Sequence, residues 1–221
     1  MRAIIAATVA VLVVAVAATT SCHPAGARAD PPIVQPGAPG APSRVITAAT
    51  ATDLSGVQHT AADVRFMQGM IGHHAQALDM TALVPTRSSR EDMGLLALRI
   101  TLSQEDEINM MEDWLEARGE DVPGVHDHHA PGATLMPGML TAEEMSRLED
   151  ATGTAFDRLF LESMIRHHEG ALIMVDGLYA IAGAGQESII SAFAADVVAD
   201  QRAEMDRMTG LLNTMRKEQQ R

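Results

Sequence analysis

From Thr60 to the C-terminus, apolar side chains return every three or four residues. Between residues 60 and 84 one stripe holds Phe66, Met70, His73, Ala77, Met80 and Val84. A neighbouring stripe holds Met67, Ile71, His74 and Leu78, and Gln68, Gly72, Gln76 and Asp79 lie opposite. This is the 3.6-residue period of an amphipathic helix. It predicts a first helix from about Thr60 to Val84, opened by a Thr60–Asp63 capping box and stopped at Pro85. A second is predicted from about Ser89 to Arg118, capped by Ser88 with Glu91 and ended at Gly119. A short helix covers Thr141 to Asp150, where Thr141 and Glu144 repeat the capping-box pattern. The third long helix starts near Gly153 and ends near Ala182 to Gly185; the fourth runs from about Glu187 to the C-terminus. Period-two alternation is sustained nowhere, so essentially no strand is predicted.

The helices come in two matching sets. "FMQGMIGHHAQALDM" (66–80) superposes on "FLESMIRHHEGALIM" (160–174), with Asp63 on Asp157 and the pair His73, His74 on His167, His168. "QEDEINMMEDWL" (104–115) resembles "QRAEMDRMTGLL" (201–212). The chain is therefore an internal duplication of a helical hairpin. Neither hairpin can bury its apolar face alone. The two copies, about 60–118 and 153–216 with a linker at 119–152, predict an all-α four-helix bundle with the His-His segments facing or adjacent.

The histidines carry the candidate chemistry. Adjacent helical residues point about 100° apart, so each pair brackets the buried face with Met70 or Met164 between. Met70 is three residues from His73 and four from His74, within reach of either, and Met164, His167 and His168 repeat the arrangement. Imidazole with thioether is a soft donor set suited to copper, Cu(I) in particular, and less natural for zinc. The linker adds His126, His128 and His129, followed by Met136 and Met139, as a second candidate site for Cu(II) or zinc. The competing reading makes the buried histidines structural, hydrogen-bonded to Glu107 and Glu204 on the paired helices, and the methionines packing.

Composition narrows the classes. With 29 Asp and Glu against 16 Lys and Arg, the chain has no basic patch for nucleic acid. Aromatics are 3% and methionines number 15, a core composition for packed helices. Residues 1–21 read as an export signal: Arg2, then a small and apolar run from Ala3 to Ala18, too short for a membrane span of about 20 residues. "TTSC" ends at the sole cysteine, Cys22, and reads as a degenerate lipoprotein signal; "ARA" (27–29) is the rival cleavage site and would release a soluble protein. Lipidation at Cys22 is the reading adopted, with membrane attachment through it. Residues 22–52 are rich in Pro, Ala and Gly and read as a disordered tether to a folded part at 53–221.

Enzyme signatures are absent from the sequence. It has no Gly-x-Ser-x-Gly, no phosphate loop, no His-Glu-x-x-His and no Glu-x-x-His of di-iron bundles. The chain reads as a non-enzyme.

The duplicated F-x-x-x-M-I-x-H-H-x-x-A-L-x-M, the trailing Q-x-x-E-[I/M]-x-x-M-x-x-[W/L]-L and the intervening "MPGMLTAEEMSRL" resemble the bacterial domain of unknown function 305, over about Asp63 to Met215. The resemblance implies a ferritin-like four-helix bundle and an exported protein, since members are exported and some bind copper. It implies Met70, His73, His74, Met164, His167 and His168 as the site. Met67 stands where the second copy has Leu161, so the half-sites need not bind alike. The function expected is copper capture or buffering outside the cytoplasm. The alternative is an envelope scaffold whose histidines are structural.

Overall fold

A computed structural model describes residues 31–35, 42–52, 58–124 and 135–220. Two units are distinguished, divided after Asp53. The first holds strand β1 (Ile33–Gln35), strand β2 (Arg44–Ile46) and the five-residue helix α1 (Ala48–Thr52). β1 and β2 pair antiparallel, with Val34 opposite Val45 and the Arg44 guanidinium donating to Gln35 Oε1 at 2.9 Å. These two three-residue strands, which fall in the stretch read as a tether, leave the described residues with very little strand, in keeping with the expectation of essentially none. The β-branched pairs Ile33–Ile46 and Val34–Val45 favour a ladder even in three residues, too short for alternation to show.

The second unit is the bundle. Its long helices are α2 (Ala61–Arg87), α3 (Glu91–Glu116), α5 (Gly153–Tyr179) and α6 (Ser188–Gln219), with short α4 (Ala142–Asp150) before α5. α2 packs on α3, α5 on α6, and α2 on α5, so two hairpins join through their first helices. The predicted caps of α2 and α4 form: Thr60 Oγ1 accepts from the Ala62 and Asp63 amides while Asp63 accepts from the Thr60 amide at 2.6 Å. Thr141 and Glu144 repeat this. α3 stops at Glu116, and the turn after it closes at the predicted stop Gly119, whose φ of 69° lets the Glu120 amide reach back to the Leu115 carbonyl at 3.0 Å.

Three boundaries differ from expectation. α2 runs on through Pro85 to Arg87: the proline removes the one amide bond back to Thr81, and the ladder resumes far enough for the Ser88 amide to reach the Val84 carbonyl at 2.9 Å. Ser88 does not cap α3; its hydroxyl accepts from the Arg90 amide, and Asp92, held by Arg90, accepts from the Met93 amide. α5 stops at Tyr179, before the turn in which Gly183 and Gly185 take positive φ.

The apolar core falls into two parts. One gathers Met67, Met70 and Ile71 with Met111, Ala171, Val175 and Val197; the other gathers Ala77, Met80 and Val84 with Ile100, Phe160, Met164 and Met208. What lies between them is polar.

Candidate metal centre

Two helical registers place histidines where α2 meets α5. His73 and His167 stack there with ring centroids 3.9 Å apart and planes tilted by 38°. His74 and His168 flank the stack. Each His-His pair has the same internal geometry, 6.2 Å and 57°, so the duplication is preserved in the side chains. All four rings are buried. His74 Nε2 pairs with Glu107 of α3, and His168 Nε2 pairs with Glu204 of α6 at 2.6 Å. Gln104 and Gln201, each three residues before its glutamate, are buried beside them. Four histidines, two glutamates and two glutamines thus form a polar layer in mid-core.

The layer is incompletely satisfied by protein. His73 Nε2 meets the Pro137 carbonyl at 3.0 Å. A carbonyl or carboxylate oxygen accepts, so in neutral His73, His74 and His168 the proton sits on Nε2 and the Nδ1 lone pair is left over. Nδ1 of those three rings and Nε2 of His167 have no hydrogen-bond partner in the protein, and both amide atoms of Gln104 and the Gln201 carbonyl oxygen are likewise unpartnered. Each such group costs roughly 1–3 kcal/mol when left unpaired. A fold that only needed packing would gain by filling these positions with apolar residues.

Burial also fixes the charge. Desolvation, reinforced by the neighbouring His74, pushes His73 down to about 3 against the opposing Pro137 carbonyl. His167 is held well below its ordinary value by burial, then by His73 and His168. Both rings are neutral at pH 7, the form that ligates metals. Asp200, by contrast, is pushed up by burial and by Glu107 and Glu204.

The six residues implied for the site are distributed over the polar layer and the two parts of the apolar core. The stack joins His73 to His167, but Met70 lies in one half of the core and Met164 in the other, both fully buried. Among the described residues no three His, Cys, Asp or Glu side chains are arranged around a common point. Imidazole nitrogen with lone pairs to spare and buried thioethers on either side remain as the donor set, a soft combination. An oxygen-seeking ion would find carboxylates already engaged.

Of the linker candidates, His126, His128 and His129 lie outside the described residues, as does Cys22. Met139 is buried in the protein. Met136 reaches α2, its sulfur 3.3 Å from where a Cβ on Gly69 would stand, beside Met174. Residues 136–140 form a strap across α2 and α5. Besides the His73–Pro137 contact, the Gln76 side chain donates to the Leu140 carbonyl at 2.9 Å and accepts from its amide at 2.7 Å. On the α5 side, Gly138 (φ 78°) lies against Gly170, where a Cβ would stand 1.9 Å from the Pro137 oxygen. Helical periodicity set Gln76 on the polar face; it is buried because the strap covers that face. The signal was a mismatch in the duplication. At the offset carrying His73 to His167, Gln76 falls on Gly170, so one copy grips the strap and the other makes room for it.

A duplicated helical bundle with a histidine-rich polar layer belongs to the class of all-α proteins that build sites between facing helices. The chain is a member of the family Domain of unknown function (DUF305), whose model matches residues 63–212. It resembles a DUF305 fragment from Deinococcus radiodurans at 31% identity, covering 71% of this chain and 98% of that one, with a TM-score of 0.60. A DUF305 protein of Streptomyces coelicolor, described as secreted, matches at 28% identity, covering 70% and 93%, also with a TM-score of 0.60. CopM in its Cu(I)-bound form matches at 26% identity, covering 71% and 98%, with a TM-score of 0.54. No curated protein matches the chain.

Proposed function

We propose that this protein captures copper outside the cytoplasm, with copper as cargo, and performs no reaction of its own. The observation that carries the reading is the polar layer. Three imidazoles have Nε2 tied to oxygen and Nδ1 buried without a protein partner, the pattern in which an outer hydrogen bond orients a ligating ring. Met70, His73, His74, Met164, His167 and His168 supply the donors. Cu(I) suits them best, and zinc is the second choice. Likeness to CopM in Cu(I)-bound and Cu(II)-bound forms supports the metal, and likeness to the Streptomyces coelicolor protein supports export. The leader at 1–21 and Cys22 support attachment to the outer face of the membrane. Cys22→Ala should move the protein from the membrane fraction to the soluble one; a mature chain beginning at Asp30 in mass spectrometry would rule the anchor out.

A second reading is favoured by the same glutamates. His74–Glu107 and His168–Glu204 are also what structural histidines in a scaffold bundle would make. His74→Ala with His168→Ala separates the two. On the copper reading, Cu(I) affinity falls far more than in a variant lacking His126, His128 and His129. On the scaffold reading, affinity is unchanged and only metal-free stability falls, as Glu107 and Glu204 are left unpaired.

A further inference from the structure

On α3, three leucines point into solvent: Leu95 is 62% exposed, Leu98 56% and Leu102 55%. Single exposed leucines are ordinary. These three are spaced by three and four residues and so form one ridge. The duplication supplies an internal control. Gln104 corresponds to Gln201, and at that offset Leu95, Leu98 and Leu102 fall on Ala192, Ala195 and Ala199, which are also exposed. α6 thus builds the same helix on the same core with alanine at every one of these positions. Nothing in the fold requires leucine on α3.

The ridge borders a groove of about 470 Å³ between α2 and α3, with Leu78, Ala82, Pro85 and Ala97 among the residues lining it. Gly94 also lines it, and an added Cβ there would meet nothing within 4 Å. Carboxylates bracket the apolar strip. Glu91 lies one turn before Leu95 and Glu105 three residues after Leu102, while Asp79 stands on the α2 wall. Arg99 is the cation on the flank, against a chain of net charge −13.

We propose that this ridge and groove are a docking surface for a helix of another protein, one presenting apolar side chains bracketed by Lys or Arg. The apolar strip gives the helix a seat, and the glutamates at both ends select for cations. A second copy of this chain is a poorer occupant. Antiparallel pairing of two ridges sets Glu91 against Glu105, and parallel pairing sets each glutamate against itself. The inference does not rest on the copper reading, since none of its residues belongs to the polar layer.

The test uses the full chain and two synthetic helical peptides carrying leucines at the same spacing, one bracketed by lysines and one by glutamates. At physiological salt, wild type should bind the lysine peptide at least about tenfold more tightly than the glutamate peptide. Leu95→Ala with Leu98→Ala and Leu102→Ala, which installs the second copy's residues, should lose that binding while keeping its helical circular dichroism. Glu91→Lys with Glu105→Lys should reverse the preference between the peptides. Equal binding by the alanine variant, or an unreversed preference in the lysine variant, overturns the proposal. So does a dimer in sedimentation that the alanine variant abolishes, or ridge-dependent binding to phosphatidylcholine vesicles.

Discussion

Gly170 and Gly177 lie two turns apart on α5 and should respond oppositely to alanine. At Gly170 the new Cβ would run into the Pro137 carbonyl, which is backbone and cannot rotate away. Gly170→Ala should destabilise the protein by roughly 1–3 kcal/mol and loosen the strap from His73. At Gly177 nothing lies within 4 Å, and the helix gains by losing glycine's freedom. Gly177→Ala should stabilise by roughly 0.5–1 kcal/mol. Thermal unfolding of the two variants checks both signs. The buried histidines give a pH dependence. His73 titrates near 3 when folded and near 6.5 when unfolded, and His167 is depressed in the same direction. The unfolded chain therefore takes up protons first. The stability contributed by neutral His73 is whole above pH 6.5 and drains away as the pH falls toward 3, at up to about 1.4 kcal/mol per pH unit, and His167 adds to the loss in the same direction. Denaturant unfolding of metal-free protein across this window should show that slope, and His73→Gln should lessen it. Residues of this kind were legible where periodicity alone decides burial, as for His73, His74 and their second-copy partners. Gln76 was not legible, because its burial depends on a strap 64 residues away.

At the scale of elements, local chemistry was readable and long-range chemistry was not. The capping boxes at Thr60 and Thr141 involve residues three apart and formed as the sequence predicted. Ser88 matched the same pattern and failed, because Arg90 recruits Asp92 and Glu218 and holds the chain extended one residue before α3. The copies also diverge at their starts. Thr60 caps α2 with its side chain, whereas Thr152, preceding α5, makes no side-chain cap. Thr60→Ala should therefore cost roughly 0.5–2 kcal/mol. Thr152→Ala should change the melting temperature little. Equal losses at both sites in a thermal melt would mean that the caps do not set the ends of these helices.

The bundle is two copies of one hairpin closed on a shared polar layer. Duplication, helix number and the meeting of the two His-His segments all follow from the repeated sequence, since a hairpin with one apolar face needs a partner face. The division of the core into halves does not. Met70 falls in one part and Met164 in the other, an outcome set by the packing of α2 on α5. The copper reading proposed above requires imidazole nitrogen and thioether sulfur to reach the same ion. X-ray absorption of Cu(I)-loaded protein tests it most directly. The spectrum should show nitrogen and sulfur together around copper, with the sulfur shell lost in Met70→Leu with Met164→Leu, a pair of swaps that preserves volume. A spectrum without sulfur in the wild type, or one unchanged by the double substitution, would contradict the centre described here.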